Sequence, residues 1–600
     1  MSSIGIDRSG NGNNWTSNNL NQYDVMVDSP TNNFATWNPL FRGGESSSSI
    51  YASTTLSEGN LQASVPTNSY MGNTMRPQSG TWYSEFLVST VTNEIGWGWI
   101  NAPKYSSNTA NAGIANKWGG YYHGYAPADL RVYDETSQLG SNIALTISNG
   151  DILQLAWDID NNKGWIGVNN TWYAADNGTD GNPSAGTNQT FTFAGTEAAN
   201  LQPYVANGTG TAVFVANFGQ DSSFAGAKTP QGNSDSGGIG DFFYPVPSGF
   251  KALCSANLEV PTVIPSENFN PVLYTGNGAN GHAITGVGFQ PDFVWMKSRN
   301  AARSHALVDS VRGRGSILFS DSSQAQQAPA AANNDLVSFD TDGFTVGIPD
   351  RAGSTNENND TIVSWNWKLG GSASSNSNGS VTSQVSANVD AGISIATFTL
   401  PTTVTTIGHG LSKPPELIFQ KGRVSGSAWW TFVKPIGNTK ALRLDTTTNA
   451  VTSTNFWNNT DPTSSVVTIG ANSGGNNSWM MYCFHSVEGY SKIGSYIGNG
   501  NVDGPFVYCG FRPKMVIFKN ITQADDWQIQ DTVRSPFNGV NSRLKPNDTA
   551  VEDTNSTWTS VDYLSNGFKQ RYSDANMNGS GKTYIFIAFA ENPFKHSNAR

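Results

Sequence analysis

Trp82-Tyr83-Ser84-Glu85-Phe86-Leu87-Val88 alternates aromatic and polar side chains. A period of two puts successive side chains on opposite faces, so the stretch predicts a half-buried β-strand. Ile95-Gly96-Trp97-Gly98-Trp99-Ile100 follows in the same style, and then Gly150-Asp151-Ile152-Leu153-Gln154-Leu155-Ala156-Trp157-Asp158-Ile159-Asp160. After an Asp/Asn/Gly turn, Gly164-Trp165-Ile166-Gly167-Val168 predicts the returning strand of a hairpin. Leu201-Gln202-Pro203-Tyr204-Val205 and Ala216-Asn217-Phe218-Gly219-Gln220 close the region.

The composition agrees with many short strands. Only 37% of the 600 residues are hydrophobic and 13% are charged, with Gly, Ser, Thr and Asn in place of the missing charge. Helices draw on Ala, Leu, Glu and Lys, so this mix argues against a helical protein. Aromatics at 11%, including 18 Trp, argue against disorder. Gly and Asn turns between strands satisfy both observations. The length predicts three to five domains of roughly 100–200 residues each. A net charge of -11 and a pI near 5.0 repel phosphate backbones, so no nucleic-acid partner is expected. The three cysteines, Cys254, Cys483 and Cys509, lack metal-ligand spacing and read as buried free thiols. Met1-Ser2-Ser3-Ile4-Gly5 carries no basic and apolar signal, and no apolar run reaches the ~18 residues of a membrane span. A soluble chain made in a cytosol, without membrane insertion, is expected.

The order of motifs from about Gly80 to Phe224 resembles the SPRY family of concanavalin-like β-sandwiches. The shared elements are the Trp82-Tyr83-x-Glu85 strand, the Gly96-Trp97 strand, Gly150-Asp151 leading to Asp158-x-Asp160, the Gly164 hairpin return, Pro203-x-Val205, and Asn217-Phe218-Gly219-Gln220. The resemblance implies an interaction sandwich that binds through loops at one end.

The second half holds an internal repeat. Tyr274-Thr275-Gly276-Asn277-Gly278 precedes Gly288-Phe289-Gln290-Pro291-Asp292-Phe293-Val294-Trp295-Met296-Lys297, and Tyr496-Ile497-Gly498-Asn499-Gly500 precedes Gly510-Phe511-Arg512-Pro513-Lys514-Met515-Val516-Ile517-Phe518-Lys519. A diverged copy reads Pro415-Glu416-Leu417-Ile418-Phe419-Gln420-Lys421. Asp309-Ser310-Val311-Arg312 lies 18 residues after Pro291 and Asp531-Thr532-Val533-Arg534 lies 18 after Pro513; the middle copy lacks this element. Gly343-Phe344 and Gly567-Phe568 recur, and each copy ends in an apolar strand. The expected organisation is therefore all-β and multidomain, a SPRY-like sandwich followed by three related β-sandwich-type repeats. Its parts are an Asn/Ser-rich arm over 1–60, with Trp15, Tyr23, Phe34, Trp37, Pro30 and Pro39, packed on the next domain; the sandwich over 61–260; repeat one over 270–370; a flexible Gly/Ser/Asn linker over 371–390; repeat two over 391–490; and repeat three over 491–600.

These repeats, with Asp7-Arg8-Ser9-Gly10-Asn11-Gly12-Asn13-Asn14-Trp15 and Ser29-Pro30-Thr31-Asn32-Asn33-Phe34-Ala35-Thr36-Trp37-Asn38-Pro39, resemble virion and tail-fibre proteins of marine bacteriophages. The resemblance implies a place in the virion after synthesis in the host cytoplasm, other virion proteins as partners, and a homo-oligomer.

Few residues suggest chemistry. Asn578-Gly579-Ser580-Gly581-Lys582-Thr583 has the tail of a phosphate-binding loop, but Asn576 stands where its first glycine belongs, and a strand follows instead of a helix. Asp158-Ile159-Asp160-Asn161-Asn162-Lys163-Gly164 offers oxygens to calcium but reads more simply as a hairpin turn. His123, His282, His305, His409, His485 and His596 show no zinc spacing, and no Gly-x-Ser-x-Gly elbow occurs. No cofactor, metal or catalytic residue is expected. Trp118, Tyr121, Tyr122 and His123, set among glycines in an expected loop, are the candidate ligand residues, since such aromatics stack on sugars and partner proteins; a core role fits them equally. Trp429-Trp430 has the same two readings. Asp309/Arg312 and Asp531/Arg534 read as internal structural pairs, with a carboxylate or phosphate clamp as the alternative. The expected function is a non-enzymatic tail-fibre or appendage adhesin binding a host-surface glycan or protein. A capsid decoration, knob or tail adaptor is the first alternative and a polysaccharide depolymerase the second.

Overall fold

Trp82–Val88 lies inside the strand Thr81–Thr90, in the middle of a nine-stranded sheet. Ile152–Asp158 and Thr211–Asn217 flank it, both antiparallel. Ile152–Asp158 returns as Lys163–Val168 with Asp158 opposite Lys163. A second, seven-stranded sheet carries Glu94–Asn101 and Lys117–His123 side by side. The inner faces of the two sheets meet through aromatic rings. Trp37 stacks on Phe86 at 5.3 Å and Trp99 meets Trp157 at 6.5 Å.

The computed structural model describes residues 6–7, 9–16, 32–43, 54–101, 117–134, 137–176, 178–194, 198–453, 455–471, 477–555 and 560–596. Met1–Gly5, Arg8, Tyr23, Ser29, Pro30 and Thr31, all named in the sequence motifs, lie outside them. The chain forms two compact units, Met1–Glu259 and Val260–Arg600. Among the described residues nearly all regular structure is β, the strands pair antiparallel except Lys251–Ala252 beside Trp82–Tyr83, and the helical pieces are single 3-10 turns.

In the first unit the motif residues hold one another. Glu85 is wholly buried, and its carboxylate accepts from the Tyr83 hydroxyl at 2.9 Å, Asn217 Nδ2 at 3.2 Å, Phe243 N at 2.9 Å and Tyr244 N at 2.8 Å. Gln220 accepts from Phe218 N and donates to the Ala35 carbonyl, both at 2.7 Å. Burial raises the Glu85 carboxyl to about 7, against the pull of its four donors. The segment expected as an arm contributes to this core: Trp37–Gly43 is an edge strand of the seven-stranded sheet, and Phe34 and Trp37 are buried.

In the second unit each repeat is a small two-layer sandwich. The inner sheet of repeat one runs in the order Phe269–Thr275, Thr361–Trp367, Phe293–Ser298, Ala306–Asp309, Leu318–Phe319. Repeat three follows the same order with Ser491–Ile497, Thr583–Pro593, Phe511–Asn520, Gln528–Asp531 and Arg543–Leu544. Side chains on the central strands alternate between two cores. Val294 and Met296 face their own outer sheet, whereas Phe293 and Trp295 join a core common to all three repeats. Ile418 against Leu417 and Phe419, and Val516 and Phe518 against Met515 and Ile517, divide the same way. Burial on both faces explains why these strands read as continuous apolar runs. The repeats are thus not three independent domains. At roughly 1.5–3 kcal/mol for each large side chain buried, Phe293, Phe419 and Phe589 stabilise the set, not one member.

The contacts between repeats close a ring. The lysine one residue before the end of each central strand is fully buried, and burial lowers each to about 8. Lys421 donates to Ser322 O of repeat one at 3.3 Å, Lys519 to Thr447 O of repeat two at 2.9 Å, and Lys297 lies in the field of Asp548 of repeat three. Eight residues after each lysine stand His305, Trp429 and Trp527. Trp429 Nε1 donates to Phe319 O at 2.7 Å, Trp527 Nε1 to Arg443 O at 2.9 Å, and the His305 ring meets the backbone of Lys545. His305 Nδ1 also accepts from Trp295 Nε1 at 2.9 Å, and burial holds its pKa well below 6.5.

The stretch expected as a linker over 371–390 is structured. Ser374–Asn376 and Ser383–Asn388 extend the inner sheet of repeat two beyond Ile393–Leu400. Strand pairing needs only backbone groups, which even a Ser/Asn-rich segment supplies. Ser383 Oγ donates to Gly408 O at 2.7 Å, and Val385 anchors the hairpin in the core.

The two units should respond to pH in opposite senses. The folded pKa of Glu85 lies above its ordinary 4.5, so the protonated form favours the fold, and the first unit loses about 3 kcal/mol as pH rises from 4.5 to about 7. The folded pKa of His305 lies below 6.5, so the second unit is at full stability above 6.5 and loses it as pH falls. Between pH 7 and 5 the thermal transition of the first unit should rise and that of the second fall. Glu85→Gln should flatten the first response and His305→Phe should reduce the second, to which the buried His409 and His485 contribute in the same sense; parallel movement of both transitions would contradict this account.

Candidate functional site

The cluster Trp118, Tyr121, Tyr122, His123 lies in the strand Lys117–His123, not in a loop. Strand alternation therefore separates its members. Trp118 and Tyr122 are buried, and Trp118 packs on Phe193 with centroids 5.1 Å apart. Tyr121 and His123 belong to the opposite, outward face and are half-buried. The neighbouring strand Asp129–Tyr133 places Arg131 opposite Tyr121 and Asp129 opposite His123. Tyr121 and Tyr133 meet edge to face, with centroids 6.2 Å apart.

A continuous polar chain runs beside these rings. The Tyr133 hydroxyl donates to Gln138 Oε1 at 3.3 Å, and Gln138 Nε2 donates to Asn142 Oδ1 at 2.8 Å. Asn142 Nδ2 donates to Asp129 Oδ2 at 2.8 Å, and Arg131 donates to both Asp129 oxygens, at 2.8 and 3.3 Å. The Tyr121 hydroxyl bonds Glu94, and burial with that carboxylate holds it un-ionised. Toward the middle of the sheet the face is covered: Tyr70, Gln202 and Tyr204 are buried. It opens across the edge strand Gln138–Ala144, where Gly140, Ser141 and Asn142 are exposed. This face holds two of the four aromatic candidates. Asp129, Arg131, Tyr133, Gln138 and Asn142 were not singled out from sequence, although Asp129-Leu130-Arg131-Val132-Tyr133 alternates polar and apolar residues and carries the signal of an open strand.

Asp309/Arg312 and Asp531/Arg534 are buried ion pairs at 2.5 and 2.7 Å, each within one turn. Each pair meets a polar group of the adjacent repeat. The Tyr482 hydroxyl donates to Asp309 at 2.8 Å and accepts from Arg312 at 3.1 Å. Trp365 Nε1 donates to Asp531 at 3.0 Å, and Arg534 reaches Glu552 of its own repeat at 3.1 Å. Repeat two has Val433 and Ile436 at the corresponding positions, and repeat three has Ile587 where Trp365 and Tyr482 stand; all three pack in the common core. A second set of residues matches in the same way. Arg299 binds Glu552 at 2.8 Å and Arg423 binds Gln326 at 2.8 Å, while the third junction has Ile521 and Ala450 against the core.

The remaining motifs serve the fold. Asn578, in the loop resembling a phosphate site, is buried and exchanges hydrogen bonds with Asn499 of Tyr-x-Gly-Asn-Gly at 2.9 and 3.1 Å. Asn356 does the same for Asn277, at 3.0 Å in both directions. Gly276 and Gly498 pass so close to this strut that a Cβ would lie 2.1 Å from Glu357 O and 2.4 Å from Gly579 O. In the turn considered for calcium, Asp158 accepts from Asn161 N and Nδ2, and Asp160 accepts from Gly80 N at 2.9 Å. Trp429 is buried in the common core, and Trp430 stacks on Phe456 at 4.2 Å.

The two units define a modular all-β protein, a two-sheet sandwich joined in sequence to a ring of three sandwich repeats. Residues 264–593 match the family described as a domain of unknown function, DUF7483, and the chain belongs to that family. No curated protein matches. Among solved structures, the chain is similar to the SPRY domain of human HERC1 (14% identity, 30% of this chain and 96% of that one, TM-score 0.20). It is also similar to the TRIM65 PSpry domain (13%, 30% and 89%, TM-score 0.21). A third is the carbohydrate-binding module CBM66 from Bacillus subtilis (11%, 30% and 94%, TM-score 0.18).

Removing one partner of a buried ion pair leaves an uncompensated charge. Arg312→Met should therefore destabilise the second unit by about 3–5 kcal/mol. The triple substitution Asp309→Val, Arg312→Ile, Tyr482→Phe copies the chemistry of the apolar junction and should recover most of that loss. Urea titrations of the three proteins test this; a triple variant less stable than Arg312→Met would count against it.

Proposed function

We propose that this chain is a non-enzymatic structural and binding component of a bacteriophage particle, a tail-fibre or appendage adhesin. The half-open face formed by Tyr121, Arg131 and Tyr133 holds a receptor on the host surface, and the repeat ring is the rigid body that presents it. The observation that carries this reading is the face itself. Two aromatic rings and a chain of fixed polar side chains stand at the open flank of a rigid sheet, an arrangement suited to non-covalent recognition. The place in a virion rests on the sequence resemblance of the repeats and of the segments around Trp15 and Trp37. The partners are other virion proteins and a host-surface glycan or protein, and a homo-oligomer would add avidity to a weak single site. The protein is made in the host cytoplasm and ends in the virion.

Purified protein should compete with the phage for adsorption to host cells, and Tyr121→Ala with Tyr133→Ala should lose at least about tenfold in that competition. Unaltered adsorption at saturating protein would turn the assignment toward a capsid decoration or tail-adaptor role. Clearing of host polysaccharide by the purified chain would turn it toward a depolymerase.

A further inference from the structure

The polar chain on the sandwich face has more order than a solvated surface requires. Exposed side chains ordinarily keep their rotamer freedom, and fixing each costs on the order of 1 kcal/mol. Here five successive side chains, Tyr133, Gln138, Asn142, Asp129 and Arg131, are tied head to tail. Two of these side chains, Asn142 and Arg131, leave bonding capacity over. Asn142, exposed, commits one amide hydrogen to Asp129 and keeps a second. Arg131 uses Nε and Nη2 on Asp129, which leaves Nη1 free of that bond. The Tyr133 hydroxyl donates to Gln138 and also bonds the Arg131 guanidinium, so the network closes on itself. A closed, fixed polar network with the exposed Asn142 at its open end therefore stands beside the edge-to-face pair Tyr121/Tyr133.

The charges on this line nearly cancel. Asp129 and Arg131 neutralise each other at 2.8 Å, and the remaining carboxylate, Glu94, is bonded to Tyr121. An anionic ligand would find the guanidinium already engaged and the whole chain at -11. A ligand rich in hydroxyls, each both donor and acceptor, fits a fixed, uncharged polar edge, and its C–H faces fit an aromatic ring. We infer that the ligand of this face is a neutral glycan, bound by stacking on Tyr121 or Tyr133 and by hydrogen bonds to Asn142 and Arg131. This inference rests on the proposed binding role of the face and narrows its ligand.

The full chain is titrated against immobilised neutral oligosaccharides built from glucose, galactose and mannose, with sialylated and sulfated oligosaccharides alongside. At least one neutral glycan should bind, with affinity changing by less than about twofold between low and high salt. Tyr133→Ala and the exposed Asn142→Ala should each weaken it at least about tenfold while leaving the thermal transition in place; Asn142→Ala guards against misfolding of the tyrosine variant. Binding confined to the anionic glycans, or neutral binding untouched by both substitutions, overturns the inference. If no glycan binds and yet the protein blocks adsorption through Tyr121 and Tyr133, the receptor is a protein: the adhesin reading stands and the glycan inference fails. Glycan binding without adsorption block has the reverse meaning.

Discussion

The common core of the three inner sheets is the constraint on which the second unit depends. A single repeat has a small core between its own two sheets, but its inner sheet carries a second apolar face that nothing within the repeat covers. Phe293 of repeat one stacks on Tyr482 of repeat two at 4.4 Å, and Phe269 of repeat one meets Phe589 of repeat three at 4.9 Å. Side chains of every repeat thus complete the surface of another. The buried lysines follow from this geometry. Their strands end where two repeats meet, and each ammonium donates to main-chain carbonyls there, Lys421 and Lys519 across the junction.

Polar groups buried at such junctions contribute little net stability, because desolvation offsets most of their attraction. Their effect is selective. Two junctions are polar at both sets of matched positions, with Asp309–Arg312–Tyr482 and Arg423–Gln326 at one, and Asp531–Arg534–Trp365 and Arg299–Glu552 at the other. The third is apolar at both, with Val433, Ile436 and Ile587 in one place and Ile521 and Ala450 in the other. Any other order of neighbours would bury a carboxylate against isoleucine. The divergence of the middle copy is therefore matched by its partners: the loss of the Asp/Arg element in repeat two accompanies Ile587 in repeat three.

Much of this was legible in the sequence, and the failures have physical causes. Alternation around Trp82 and the recurrence of Gly-Phe-x-Pro with its lysine gave the sheets and the repeats, because both depend on local backbone geometry. That the repeats share a core was not legible, since a strand buried on both faces reads the same whether its second face meets its own domain or a neighbour. The stretch 371–390 looked like a linker because its first ten residues carry almost no apolar surface, yet strand pairing asks only for main-chain groups. The Trp118–His123 cluster was placed in a loop because glycine so often marks turns. Here Gly98 and Gly119 mark close backbone approach between strands: a Cβ on Gly98 would lie 2.0 Å from Trp118 O, and one on Gly119 2.3 Å from Trp97 O. The Asp/Arg pairs were readable as internal devices, but their partners Tyr482 and Trp365 lie more than 150 residues away in the chain.

The shared core also separates the unit of inheritance from the unit of folding. Duplication copied a block of about 100 residues, but a lone copy would expose the face that bears Trp295 and Trp365, and two copies would leave a cleft where the third belongs. Only a set of three closes. The body is complete only as three copies, and a change on one side of a junction calls for a matching change on the other.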